Sequence, residues 1–78
     1  MKLLSKDVLR DYGFIDNAEK SNVLIQVMSR KQFDVCIKDG TYFFYSNLGI
    51  DYPLKDLATL RKLYKEVKRE DLNINTNK

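Results

Sequence analysis

"FDVCIKDGTYFFY", residues 33–45, contains the clearest structural signal in this chain. Two runs of β-branched and aromatic residues flank Asp39-Gly40, a pair that tolerates the positive φ angles of a two-residue hairpin turn. The stretch therefore predicts an antiparallel hairpin. Facing residues share one side of a sheet, so one side, expected to lie in the core, would carry Phe33, Val35, Ile37, Tyr42 and Phe44. The other side, mixed in polarity, would carry Asp34, Cys36, Lys38, Thr41, Phe43 and Tyr45.

A further strand is predicted before the hairpin, in residues 22–29 (NVLIQVMS), and its register depends on the turn that follows it. A three-residue turn at 30–32 would direct these side chains to the core: Val23, Ile25 and Val27. A two- or four-residue turn would direct the alternate set there: Leu24, Gln26 and Met28. We expect the first arrangement because it buries three β-branched residues and exposes Gln26. A shift of one residue reverses it.

A short helix is predicted at the N-terminal end. Ser5 can cap this helix and Gly13 can end it. Its apolar side comprises Leu4, Val8, Leu9 and Tyr12. Phe14 and Ile15 are then expected to fold back as apolar anchors, before a polar loop.

A second helix is predicted to begin at Pro53, since the missing N–H of a proline costs nothing in a first turn. Its apolar stripe comprises Leu54, Leu57, Leu60, Leu63, Tyr64 and Val67. Residues 47–53 can hold a brief fourth extended segment, and residues 73–78 are expected to be a disordered tail. The predicted fold is α+β: a three-stranded antiparallel meander with both helices packed on one face, in a single domain of residues 1–72.

The composition indicates a small protein of a reducing compartment. Among 78 residues, 14 are basic and 11 are acidic, so the formal net charge is +3, which is mild for a protein that binds polyanions. The single cysteine, Cys36, cannot form an internal disulfide. Ser5, Lys6 and Asp7 interrupt the first apolar run. We therefore expect no signal peptide, no membrane span and a cytoplasmic location.

Residues that commonly carry catalysis or bind metals are scarce. The chain has no histidine, the most frequent general base and metal ligand. Cys36 alone cannot build a zinc site and is interpreted as a small, half-buried hydrophobe. Two acidic pairs, Asp7 with Asp11 and Glu70 with Asp71, are interpreted as solvated helix surface. We therefore expect no enzyme activity, no cofactor and no metal.

The mixed side of the sheet is the main candidate for a binding role, because the two helices need only the other side. The predicted contact patch comprises Phe43, Tyr45, Lys38 and Met28, with Leu24 beside them. Aromatic residues and methionine are favoured anchors of protein interfaces. The patch predicts a small non-enzymatic protein-interaction module, whose partner is another protein or a second copy of the chain.

The second helix offers an alternative. Its basic residues form a dense group: Arg61, Lys62, Lys65, Lys68 and Arg69. Such a group can contact phosphates without sequence preference, while exposed strand aromatics stack on bases. The alternative prediction is a weak nucleic-acid binder.

Both ends of the chain resemble a group of short uncharacterised proteins from gut-type bacteria, their phages and mobile elements. Those proteins pair an N-terminal helix ending in Gly-Phe, as in LLSKDVLRDYGF, with a leucine-rich C-terminal helix near an aromatic, as in YPLKDLATLRKLYKEV. The matching positions are Gly13, Phe14, Tyr52, Leu57, Leu60, Leu63 and Tyr64. The resemblance implies no catalytic residues. It implies a protein of accessory-genome type, many of which bind another protein; phage-style inhibition of a host or defence protein is one form.

Overall fold

A five-stranded antiparallel sheet and two helices make up the part of the chain that the computed structural model describes, residues 2–45 and 51–73. The elements follow one another as α1 (Lys6–Asp11), β1 (Ile15–Asp16), β2 (Gln26–Arg30), β3 (Phe33–Lys38), β4 (Thr41–Tyr45), β5 (Asp51–Pro53) and α2 (Leu57–Lys68). The spatial order of the strands is their order in the chain. The predicted class, an antiparallel α+β sheet with two helices, is confirmed, but the strand count of three is wrong.

The two additional strands are the short edges of the sheet. β1 has only two residues, too few for an alternating pattern to stand out in a sequence. β5 has three residues and lies within residues 47–53, where a brief fourth extended segment is predicted. β5 ends in Pro53, which we had expected in the first turn of a helix. An edge strand tolerates proline because the absent N–H is not needed by a neighbouring strand. α2 begins instead at Leu57, with Asp56 as its N-cap.

The hairpin between β3 and β4 forms as predicted. Asp39 and Gly40 both have positive φ angles, 52° and 75°. The pairs run from Lys38 opposite Thr41 to Val35 opposite Phe44. The two faces of this hairpin are therefore those derived from the sequence.

The register expected for the strand before the hairpin is wrong. The connection between β2 and β3 is a two-residue turn in which Lys31 and Gln32 have φ angles of 49° and 69°. This turn places Met28 opposite Val35, on the core face, and Val27 on the other face. A lysine–glutamine pair carries no preference for positive φ, so the sequence offers no signal for this turn.

Glycine at position 32 is expected to stabilise the protein. A residue with a Cβ in the left-handed conformation destabilises the folded chain by about 1–2 kcal/mol. Glycine has no such strain, but it increases the conformational entropy of the unfolded chain, which costs about 0.5–1 kcal/mol of stability. Gln32→Gly should therefore raise the free energy of unfolding by about 0.5–1 kcal/mol, measured by urea denaturation. Lys38→Gly, at the exposed end of β3, is the control and should lower it by a similar amount. Equal losses in both variants would contradict the turn geometry.

Both helices pack on one face of the sheet, the core face. Leu9 of α1 and Leu60 of α2 share one buried cluster with Val35, Ile37 and Phe44 of the sheet. This packing places the core between the helices and the sheet, so the opposite face, hereafter the outer face, is the one that the helices do not cover.

An aromatic group lies at the centre of this core. Phe33 stacks on Phe44, with 4.4 Å between ring centroids, and lies 5.0 Å from the ring of Tyr64. Phe14 meets Phe33 edge to face at 6.2 Å. These contacts join the end of α1, two strands and α2 through one set of rings.

The start of the chain follows the prediction closely. The Ser5 hydroxyl accepts from the N–H of Val8 and caps α1, and Gly13 has a φ of 88° just after the helix. Phe14 is buried as expected. Ile15 is not an anchor: it pairs with Ser29 in β1 and is 70% exposed.

Some predictions lie outside the described residues. They are the first four residues of the extended segment predicted over residues 47–53, and all but the first residue of the disordered tail predicted over residues 73–78. The single-domain assignment to residues 1–72 stays a prediction.

Candidate interaction surface

A row of apolar side chains crosses the outer face. Val27 faces Cys36, Cys36 faces Phe43 and Phe43 faces Pro53, so one residue from each of β2, β3, β4 and β5 contributes. Facing residues in an antiparallel sheet project to the same side, which keeps this row together. The row gives the outer face an apolar centre.

A hollow of about 360 Å³ lies over the first three residues of this row and is called the outer hollow. It is lined by Lys20, Asn22, Ile25, Val27, Asp34, Cys36, Phe43 and Tyr45. Val27 and Cys36 are buried and form its floor, whereas Tyr45 is 54% exposed. Its residues come from three strands and from the loop before β2, so the sheet and that loop together shape it.

The polar groups at the hollow are bonded to one another. The Lys20 ammonium donates to the Asp34 carboxylate over 2.6 Å, and the Ser29 hydroxyl donates to the other oxygen of Asp34. The Asn17 amide donates in turn to the Ser29 hydroxyl over 3.0 Å. The hydrogen bond and the charge of Asp34 together raise the pKa of Lys20. The charged groups at the hollow, Lys20 and Asp34, are thus paired with each other.

Cys36 has the character of a core residue. Burial, and secondarily the negative charge of Asp34, raise the pKa of its thiol. A raised pKa keeps the group protonated near neutrality, and the thiolate is the reactive form. Cys36 therefore contributes an apolar floor, as its interpretation as a small hydrophobe requires.

An exposed apolar tip borders the hollow. Val23 is 100% exposed and Leu24 is 71% exposed, between Asn22 and Ile25, which line the hollow. The Asn22 side-chain oxygen accepts from the N–H groups of Leu24 and Ile25 over 2.8 and 2.9 Å. The Ser21 hydroxyl accepts from the N–H of Val27 over 2.8 Å. We call Val23 and Leu24 the apolar tip. The hydrogen bonds to the Ser21 and Asn22 side chains fix the backbone on which the tip is exposed.

The exposure of this tip is not predicted from the sequence, because residues 22–29 have the composition of one continuous strand. The strand begins only at Gln26, and an Asn22 turn precedes it. The available signal was Ser21-Asn22, since both residue types accept from nearby backbone N–H groups in turns. The expectation that Val23 lies in the core is wrong.

The predicted contact patch is only partly assembled. Phe43 and Tyr45 lie together on the outer face, as expected. Lys38 is exposed on the same face, at the end of β3, but does not line the hollow. Met28 does not belong to the patch: it is 0% exposed and packs in the core, because the two-residue turn reverses the register of β2.

The basic group of the second helix is mostly exposed: Lys68 is half-buried, and the other four residues are exposed. The core-facing side of α2 carries Leu60 and Tyr64, which are buried. The basic residues outside it are Arg61, Lys62, Lys65, Lys68 and Arg69. Lys65 is 3.4 Å from Asp71, and Arg69 ends the helix with a φ of 61°. The cluster is therefore placed for contact with an anion, and Asp71 offsets part of its charge.

Three of the four carboxylates in the two acidic pairs bind cations of their own. Glu70 accepts from the Lys31 ammonium over 2.8 Å and from the Tyr64 hydroxyl over 3.2 Å, and the bond from Lys31 lowers the pKa of Glu70. Asp71 pairs with Lys65 instead. Asp7 pairs with Arg10 of its own helix over 3.3 Å. These carboxylates bind separate cations, the arrangement of structural ion pairs.

Two negative findings concern the described residues alone. None of their helices has the length and apolarity needed to cross a membrane. Within residues 2–45 and 51–73, no group of three or more His, Cys, Asp or Glu residues could hold a metal ion. The expected absence of metals and cofactors stays a prediction.

The chain was compared with protein families, curated proteins and solved structures. No family model, no curated protein and no solved structure matches it. The resemblance to short accessory-genome proteins therefore stays a prediction from the sequence. Function has to be argued from the outer face and the basic helix.

Proposed function

We propose that this chain is a small non-enzymatic protein-interaction module that binds a protein through its outer face. One observation carries the proposal. Seven large hydrophobic side chains are exposed among the described residues, and four lie on the outer face or on its bordering loop: Ile15, Val23, Leu24 and Tyr45. Concentrated apolar exposure on one side of a small protein is typical of a binding surface.

The chemistry of the outer hollow supports this proposal. Protein interfaces combine an apolar centre with a polar rim, and aromatic side chains dominate their binding energy. The hollow has a floor of Val27 and Cys36, an aromatic wall of Phe43 and Tyr45, and a polar side at Lys20. A cytoplasmic location, an origin in a phage or mobile element, and inhibition of the partner are further parts of the proposal that rest on the sequence alone.

Removing the aromatic wall tests the proposal. Affinity capture from the native cell should lose its partner by about tenfold or more when Phe43→Ala and Tyr45→Ala are combined, because aromatic anchors dominate interfaces. Tyr52→Ala with Val67→Ala is the matched control, since both side chains are exposed elsewhere, and it should retain the partner. Circular dichroism checks that both double variants fold. Unchanged capture by the Phe43/Tyr45 variant would reject the outer face as the binding surface.

Nucleic-acid binding is the second candidate, and the cluster of five cations on α2 and at its C-cap, four of them exposed, favours it. Phosphate contacts release counterions, so binding should weaken steeply between about 50 mM and about 200 mM salt. Fluorescence anisotropy with a labelled single strand and a labelled duplex measures this. No change in anisotropy at the lower salt concentration would exclude this function.

A further inference from the structure

We propose that the occupant of the outer hollow is the apolar tip of a second copy of this chain, in a two-fold symmetric dimer. The inference rests on the proposed function, because it takes the outer face as the binding surface and names its partner. Each copy would insert Val23 and Leu24 into the hollow formed by Val27, Cys36 and Phe43 of the other.

The placement of tip and hollow suits two-fold symmetry. A two-fold interface uses the same patch on both copies, so the patch must contain both a projection and a site that receives it. Asn22 and Ile25 line the hollow, and the residues between them are the exposed Val23 and Leu24. Projection and recess are therefore neighbours on one surface, and a single rotation can satisfy both at once.

The tip is organised before any partner arrives. Three N–H groups next to it, those of Leu24, Ile25 and Val27, are held by the side chains of Asn22 and Ser21. Ordering a loop during association costs free energy, and a loop that is already held costs less. An exposed valine on a fixed turn is thus suited to act as an anchor.

The polar groups beside the hollow can be covered without losing their partners. Asp34 already accepts from both Lys20 and Ser29. A charge that becomes buried without a partner opposes association strongly, whereas a paired one does so much less. An apolar tip can therefore pack next to Lys20 and Asp34 without breaking their ion pair. A partner with charged groups at this place would need new partners for those charges.

The charge distribution favours contact between outer faces over contact between helix sides. The charges on the outer face or on its bordering loop are nearly balanced, with two cations, Lys20 and Lys38, and three anions, Asp34, Asp51 and Glu19. The basic cluster lies on α2, on the opposite side of the sheet, in a molecule at least 24 Å across. Charges farther apart than about 8–10 Å are largely screened at physiological salt. Two copies joined by outer faces keep their basic helices apart.

The area of the outer face limits the affinity expected for the dimer. The five strands have two, five, six, five and three residues, so at about 3.3 Å per residue and about 4.8 Å between strands they present roughly 330 Å² of face per copy. Stable complexes bury about 800 Å² per partner, so this face with its tip has the size of a weak, transient contact. We therefore expect a reversible dimer with a dissociation constant on the order of 100 µM.

Sedimentation velocity over about 20 µM to about 1 mM tests the dimer, since this range brackets the expected dissociation constant. The unaltered chain should shift from monomer to dimer across the range. Val23→Asp should weaken the dimer at least tenfold, because it places a charge in an apolar recess. Val67→Asp is the matched control: it makes the same change at an exposed valine of α2 and should leave the dimer intact. A monomer at the highest concentration, or equal effects of the two variants, would overturn the inference.

An isotope-filtered NOE experiment on mixed labelled and unlabelled copies tests the seating of the tip. Contacts are expected between the Val23 methyl groups of one copy and the Phe43 ring of the other. A dimer whose intermolecular contacts lie elsewhere, for example on α2, would overturn the inference. Failure of the dimer can be told apart from failure of the proposed function. If the chain stays monomeric, the dimer is refuted. If the same chain captures a protein that the variant with Phe43→Ala and Tyr45→Ala does not capture, the proposed interaction module is supported.

Discussion

Replacing Phe33 by alanine is expected to lower the free energy of unfolding by about 3–5 kcal/mol. Phe33 is buried between Phe44, Tyr64 and Phe14, so its loss removes apolar burial and leaves a cavity that three rings would have to fill. A chain of this size has a total stability of about 4–12 kcal/mol. The variant should therefore lose a quarter or more of it, measured by urea denaturation followed by circular dichroism.

Phe43→Ala is the matched control, because it removes the same side chain from the adjacent strand on the outer face. Phe43 is only half-buried and belongs to the hollow rather than to the core. Its replacement should cost clearly less than that of Phe33, at most about half, since less apolar area returns to water. Equal losses for both variants would mean that the outer face is packed like a core, contrary to the assignment of the two faces.

Replacing Asp56 by alanine is expected to lower the melting temperature by about 5 °C or more. The Asp56 carboxylate accepts from the N–H and the hydroxyl of Thr59, both over 2.9 Å, and so caps α2. Leu57 also donates its N–H to the carbonyl of Lys2, and Asp56 is bridged to Leu3. Loss of the cap should loosen both the first turn of α2 and the N-terminal segment. Thermal unfolding at neutral pH measures the effect.

Asp56→Asn separates capping from charge. Asparagine is also an effective N-cap, so this variant should stay close to the unaltered protein at neutral pH. The hydrogen bonds from Thr59 lower the pKa of Asp56 below its ordinary value of 3.8. A lowered pKa stabilises the fold fully above the ordinary value, and this stabilisation disappears as the pH falls through the folded-state value. The cost of Asp56→Ala should therefore shrink below about pH 4. A cost independent of pH would contradict the role of the carboxylate.

The parts of the fold that could be predicted are those with strong local chemistry. Asp39-Gly40 tolerates a two-residue turn, and the strands beside it are long enough to alternate. The turn at Lys31-Gln32 has the same length but uses residues with no such preference, so nothing local fixed the register. The register of β2 therefore depends on packing in the core, and it is the register that buries Met28 rather than Val23.

The candidate site was predictable to a similar extent. The placement of Phe43 and Tyr45 on the outer face followed directly from the hairpin, while their role in binding stays a prediction. Met28 was assigned to it only because the register was wrong. The apolar tip was missed because Val23 and Leu24 precede a strand and look like its continuation; their exposure depends on the side-chain bonds of Asn22, which a pattern of apolar residues does not show.

The short edges of the sheet limit how this chain can assemble. β1 offers only two residues, and β5 carries Pro53, which has no N–H to donate to an incoming strand. Short edge strands and an edge proline both disfavour the strand addition that produces fibres. The dimer proposed above would instead use the outer face of both copies at once, so that assembly through it would end at two copies rather than grow into a polymer.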